Sequence, residues 1–257
     1  MVSGKSVNNE FFGGNLVKKI EFGGAGKKLL ATGPYEYFIY ETEENEVLSF
    51  NDLKSFSVYV FEKPQSAMLN VQGLNESPQQ GDAIQAENCR VEMNITGGRV
   101  KLLVAGTVTQ HQAANGLTIT KKNDVYRVEK PWGHELWING QHPAYALKCI
   151  FIKAGTKTSL QYHRHKQETN VLFHGNAKLH YKKNDVANDL VKPTDIATTR
   201  LEPVCSVDVV PLTIHRIEAV SDILLFETST PHLDDVIRID DDSQRPSGRL
   251  ATEHKRL

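Results

Sequence analysis

Residues 155–175 hold His163 and His165 two positions apart, then Glu168, then an apolar stretch ending at Gly175. Side chains on an extended strand repeat every second residue, so His163 and His165 are expected to point the same way. Glu168 follows after a short break in that period. Further on, Pro211-Leu212-Thr213-Ile214-His215 brings a third imidazole to the end of an apolar run. Imidazoles with one carboxylate suit a divalent first-row metal, and mixed nitrogen and oxygen ligation admits Zn, Mn, Fe or Ni. The expected ligand set is His163, His165, Glu168 and His215, holding one ion per chain. Gln161 is in phase with His163 and is expected to face the same interior.

Other residues near this set could bind substrate or move protons. Lys148, Lys153 and Arg216 are candidate partners for a phosphate or carboxylate, with Gln161 as a hydrogen-bonding neighbour. His180 lies in mid-strand, and Glu218 and Glu227 offer carboxylates. These three are the candidates for general acid–base work. Tyr162 and Arg164 alternate out of phase with the ligands and are expected outside the barrel.

The elements around these residues read as strands. Short β-rich runs recur at 35–40, 56–61, 67–71, 89–95 and 100–104, and again at 146–152, 170–173, 177–181, 207–210 and 223–227. Gly, Pro, Asn and Asp separate them at short intervals, as in a sandwich or barrel. Gly97-Gly98 predicts a hairpin turn. Residues 182–200 are polar and predict a long loop or hairpin. A polar join at 110–124 splits the chain into a first β unit, 1–115, and a second, 124–245. A charged tail, 246–257, is expected to be solvated. All ten histidines lie at or after position 111, so the first unit has no imidazole for a metal.

Composition narrows the function classes. The formal net charge of -1 argues against a nucleic-acid surface and a cationic membrane patch. No segment approaches 18 consecutive apolar residues and no signal-peptide pattern opens the chain, so a soluble cytoplasmic protein is expected. Cys89, Cys149 and Cys205 are few, odd in number and widely spaced, and predict free thiols. Gly23-Gly24-Ala25-Gly26-Lys27-Lys28 lacks the hydroxyl residue of a phosphate loop and reads as a glycine turn. The aromatics of the first half, including Tyr35, Tyr37, Phe38 and Tyr40, are expected to pack against the second unit or to line a two-fold contact.

Longer motifs resemble a known family. Residues 127–135 include Pro131-Trp132-Gly133, residues 147–155 form an apolar run into Gly155, and residues 159–168 carry His163, His165 and Glu168. Residues 210–218 surround His215, and residues 234–241 form an acidic closing segment. Together they resemble the cupin superfamily, and within it the cupin domain of type II mannose-6-phosphate isomerases, often fused to mannose-1-phosphate guanylyltransferases. The resemblance implies an all-β tandem cupin: two jelly-roll (double-stranded β-helix) barrels, the first degenerate and without metal ligands. It implies a metal-dependent isomerase or epimerase acting on a sugar phosphate or nucleotide-linked sugar, in polysaccharide or surface-glycan biosynthesis. A non-catalytic sugar-binding or regulatory cupin and a metal-dependent cupin dioxygenase are the alternatives. A homodimer is expected. Three departures stand out: Thr213 replaces a usual glycine, the approach to His215 is one residue shorter, and Ser243-Gln244-Arg245 replaces a closing Tyr-Gly-Arg. No guanylyltransferase domain is expected in the first half.

Overall fold

The computed structural model describes residues 17–19, 34–111, 115–182 and 194–254. Among these, twenty strands and no helix are found. In chain order they are β1 (Val17–Lys19), β2 (Glu36–Glu41), β3 (Glu46–Ser49), β4 (Ser55–Glu62), β5 (Met68–Val71), β6 (Ala83–Glu87), β7 (Glu92–Thr96), β8 (Lys101–Thr107), β9 (Gly116–Thr120) and β10 (Tyr126–Lys130). They continue as β11 (Gly133–Asn139), β12 (Ala146–Ile152), β13 (Leu160–Tyr162), β14 (Glu168–His174), β15 (Ala177–Lys182), β16 (Ala197–Leu201), β17 (Cys205–Val209), β18 (Ile214–Ala219), β19 (Ile223–Ser229) and β20 (Ile237–Asp240).

Each half of the chain pairs a larger sheet with a smaller one. The first half has the order β2-β8-β4-β6-β9 facing β3-β7-β5. The second has β1-β17-β14-β19-β12-β11-β10 facing β16-β15-β18-β13-β20. Within these, β2-β8-β4-β6 matches β12-β19-β14-β17, and β3-β7-β5 matches β13-β18-β15. Every pairing is antiparallel, and the chain alternates between sheets in the same sequence in both halves. The fold is therefore all-β with two jelly-roll barrels, and the second copy adds flanking strands.

Alternation decides which residues fill each barrel. In β2 and β4, Phe38, Phe56, Val58 and Val60 point into the first barrel, where Met93, Ile95, Leu102 and Val104 complete an apolar core. The opposite faces of the same strands carry Tyr37, Ile39 and Tyr59, with Tyr35 just before β2. These pack on Tyr145, Leu147, Cys149, Val171 and Phe226 of the second barrel. The two larger sheets thus meet face to face, and the aromatics of β2 divide between two cores. Tyr35 Oη lies 3.0 Å from Thr169 Oγ1 and Ser57 Oγ lies 3.0 Å from Tyr145 Oη, so the buried hydroxyls at this contact are paired. Each large apolar side chain buried at this contact, such as Ile39, Leu147 or Phe226, contributes roughly 1.5–3 kcal/mol by leaving water.

Three boundaries differ from expectation. β1 pairs with β17 through Val17↔Val207, so part of the first segment belongs to the second barrel's sheet. The polar join contains β9, which completes the first barrel by pairing with β6; its Leu117 packs on that barrel's core, a partial burial that polar flanks hide. The tail up to His254 is docked rather than solvated, and His254 itself is buried. The expected hairpin at 182–200 is β15–β16, with residues 183–193 outside the described residues. Gly97-Gly98 does turn the chain between β7 and β8. The run predicted at 89–95 becomes a strand only from Glu92. All three cysteines are free thiols. The glycine run at 23–26 lies outside the described residues.

Gly133 shows why the Pro-Trp-Gly motif is there. A Cβ at this position would meet Phe151 O at 2.0 Å, because β11 starts hard against β12. The adjacent Trp132 is buried in the second barrel's core and lines its cavity.

Candidate metal centre

The second barrel's cavity opens between its two sheets. β13 ends at Tyr162, and His163 follows it into the interior, buried to 1% exposure. Glu168 opens β14 and His215 is the second residue of β18, both buried as well. The three can each offer one ligand atom within 4.8 Å of the others. Glu168 spans the imidazoles: Oε2 lies 3.4 Å from His163 Nε2 and Oε1 lies 3.2 Å from His215 Nε2.

The imidazoles are aimed by their other nitrogens. His163 Nδ1 meets the Asp235 carbonyl, and His215 Nδ1 lies 3.0 Å from the Thr213 carbonyl. A carbonyl accepts only, so each ring carries its proton on Nδ1 and turns the Nε2 lone pair into the cavity. Both Nε2 atoms are buried without a hydrogen-bond partner among the described residues. Burial also pulls the His163 pKa down, against the pull of Glu168, which favours the neutral form a ligand needs. Two orphaned lone pairs beside a carboxylate fit a divalent cation, and backbone carbonyls behind metal-binding imidazoles are the usual support.

His165 does not join them. The two-residue period holds only while the chain stays extended, and residues 163–167 lie in the turn between β13 and β14. The Asp235 carboxylate fixes that turn by accepting the backbone N–H of Arg164 at 3.0 Å and of Lys166 at 2.9 Å, as well as that of His165. His165 is left exposed beside His232, and Lys166 points inward. Tyr162 is fully buried on the far face of its sheet with Leu160 and Ile214.

Lys166 links two buried carboxylates. Its Nζ contacts Glu168 Oε2 and lies 2.8 Å from Glu227 Oε1, which also receives Lys148 Nζ at 3.2 Å. Burial alone would drive all of these groups toward neutrality. Instead Glu168 and Glu227 raise Lys166, Lys166 holds Glu168 well below the usual carboxylate range, and Lys148 with Lys166 lowers Glu227. Lys148 Nζ sits 4.4 Å from the centre of the Trp137 ring, which helps hold it. Gln161 lines the same cavity and accepts a bond from Ser159 Oγ at 2.6 Å.

The remaining candidates fall elsewhere. Arg216 follows His215 directly, so alternation places it on the opposite face of β18. There its Nε donates to Thr158 O at 2.8 Å and it pairs with Asp240. Glu218 shares that outer face, with His180 Nε2 2.8 Å from Glu218 Oε2. These three line a separate surface pocket. Lys153 is exposed in the turn after β12. Of the acid–base candidates, Glu227 alone reaches the centre.

Several cavity residues were not singled out from the sequence. Lys130, Glu135, Trp137, Lys166, Arg245, Glu253 and His254 all line it. Lys130 and Trp137 flank the Pro-Trp-Gly motif, a signal that could have drawn attention to them. Glu253 and His254 come from the tail, and their spacing gives no hint of where the tail docks.

Fold and site together are similar to those of cupins, in strand order and in the placement of the cluster just after β13 and on β14 and β18. Residues 115–241, under half the chain, match the family model "Mannose-6-phosphate isomerase C-terminal". Among solved structures, an oxalate decarboxylase from Lactobacillus farciminis is similar at TM-score 0.56 and 9% identity, covering 79% of both chains. The Bacillus subtilis oxalate decarboxylase, a protein with Mn(II) centres, gives 0.59 and 8%, covering 80% of this chain and 71% of that one. A salicylate 1,2-dioxygenase variant from Pseudoaminobacter salicylatoxidans gives 0.52 and 11%, covering 77% and 71%. At such identities the likeness concerns the fold alone. Comparison with curated proteins by sequence finds no match.

Proposed function

We propose that the second barrel is a metal-dependent isomerase or epimerase acting on a sugar phosphate or a nucleotide-linked sugar. The observation that carries this reading is the pair of orphaned imidazole nitrogens beside Glu168, facing a cavity that also holds Glu227. The stretch that builds it matches a mannose-6-phosphate isomerase domain. His163, Glu168 and His215 would hold the ion, which when bound supplies Lewis-acid polarisation of a sugar oxygen.

The chain's own residues supply the rest. Glu227 is kept ionised by Lys148 and Lys166 and is the group placed to take a proton from a carbon beside the polarised oxygen. Lys166 holds Glu168 and Glu227 in fixed relation. Lys148, braced on Trp137, fixes Glu227 from the other side. Trp132 and Ile150 wall the cavity against water.

The test is proton exchange from heavy water into a panel of hexose phosphates and nucleotide sugars with the metal-loaded chain. Exchange is expected for at least one of them, and Glu227→Gln should slow it about 100-fold. No exchange with any would contradict the proposal. Oxygen uptake would instead indicate a dioxygenase, and thermal stabilisation by a sugar with neither activity would indicate a binding cupin. A cytoplasmic location and a homodimer are part of the same proposal. A constant mass near 28.8 kDa by light scattering across a tenfold dilution would refute the dimer.

A further inference from the structure

The wall of the cavity built by β10, β20 and the segment that follows β20 gathers three cations of low exposure. Lys130 and Arg245 are bridged by one carboxylate: Glu253 Oε2 lies 2.7 Å from Lys130 Nζ, and Glu253 Oε1 lies 3.2 Å from Arg245 NH1. Arg238 is the third, with its side chain 9% exposed. Its NH1 donates to backbone carbonyls, while its Nε is buried with no hydrogen-bond partner among the described residues and lies 4.0 Å from Asp241. Arg238 feels both Arg245 and Glu253 electrostatically. Arg245 is also held by Asp241, with NH2 2.6 Å from Oδ2, and Glu253 uses both its oxygens on Lys130 and Arg245, so Arg238 Nε is left without a hydrogen bond. Glu253 comes from the tail segment that also inserts His254 4.9 Å from the Trp137 ring.

We propose that Lys130, Arg238 and Arg245 form a phosphate subsite in which Glu253 is an internal stand-in, and that a phosphate group of the substrate displaces the tail when it binds. A phosphate offers three oxygens to three cations where the carboxylate offers two. This deepens the sugar-phosphate reading and rests on it for the ligand's identity. Glu253 acts as a built-in competitor: the tail docks against the cavity wall and yields to an anion that binds more cations.

The test uses the full chain and inorganic phosphate, followed by calorimetry. Glu253→Gln removes the competitor and should tighten phosphate binding about tenfold, and adding Arg245→Gln should abolish the gain. In the unmutated chain, phosphate should speed trypsin cleavage after Arg249, because the tail is released. Glu253→Gln binding no more tightly than the unmutated chain would overturn the proposal. So would a cleavage rate unchanged by phosphate, an arm that decides the matter alone if the variant does not fold. An equal gain in affinity for acetate would overturn the phosphate assignment. Tightened phosphate binding without sugar exchange leaves this subsite standing while the isomerase reading fails.

Discussion

The two barrels share a strand order and differ in what they hold. In the second, Lys148 pairs across β12–β19 with Glu227, which pairs across β14–β19 with Asn170. In the first, the matching register runs from Phe38 to Val104 to Val58. Glu168 lies opposite Val209 and Ser229, and Phe56 lies opposite Ala86 and Gly106. His215 on β18 corresponds to Met93 on β7, each set between the same two neighbouring strands. Each of these five inward polar residues of the second barrel thus has an apolar counterpart in the first, and all five counterparts belong to one core cluster. The barrel dictates where side chains point. Chemistry depends on which residues stand at those points.

Mutations on the two sides of this comparison should have different consequences. Met93→Ala removes a fully buried side chain from the apolar barrel. It should cost about 3 kcal/mol by denaturant unfolding and leave metal content unchanged. Loss of the metal along with stability would show that the barrels are not functionally separate.

Leu212→Gly sharpens the comparison at the turn leading into His215. Leu212 has φ +65° and is 42% exposed, so the left-handed conformation is a strain with little burial to offset it. Leu212→Gly should raise stability by about 1 kcal/mol, a Tm gain of roughly 2–4 °C. A lower Tm would mean that the leucine side chain makes an essential contact.

The smallest expected effect concerns the tail, which exists on the second barrel alone. Burial, aided by nearby Lys130, pulls the His254 pKa down to about 4 from an ordinary value near 6.5. The folded form therefore binds fewer protons between these values. The docking contribution of His254 is complete above about pH 6.5 and is lost as pH falls toward 4. Hydrogen-exchange protection at residues 249–254, relative to the intrinsic rate at each pH, should fall over that window, ahead of protection in β12 and β14. Equal protection at pH 7 and pH 4.5 would show that His254 does not hold the tail.

The sequence made much of this legible where a single strand carried the signal. Period-two alternation located most central strands, and β12 was read to the residue. His163, Glu168 and His215 were readable because each directly follows, begins or sits within a strand. His165 was misplaced because a turn broke the period, and the turn is fixed by Asp235, seventy positions away. Arg216 and Glu218 show the reverse fault: nearness to a ligand suggested chemistry, whereas alternation assigns them the outer face. The role of Lys166 depends on Glu227 across the sheet, and that of Glu253 on a docked tail. Neither depends on a local pattern.

The most direct measurement of the central claim is metal content per chain after loading with a divalent ion and removal of excess. The account predicts close to one ion in the unmutated protein, one in His165→Ala, and none in the double variant His163→Ala, His215→Ala, all three folded. Equal metal in the double variant, or loss of metal in His165→Ala, would contradict it.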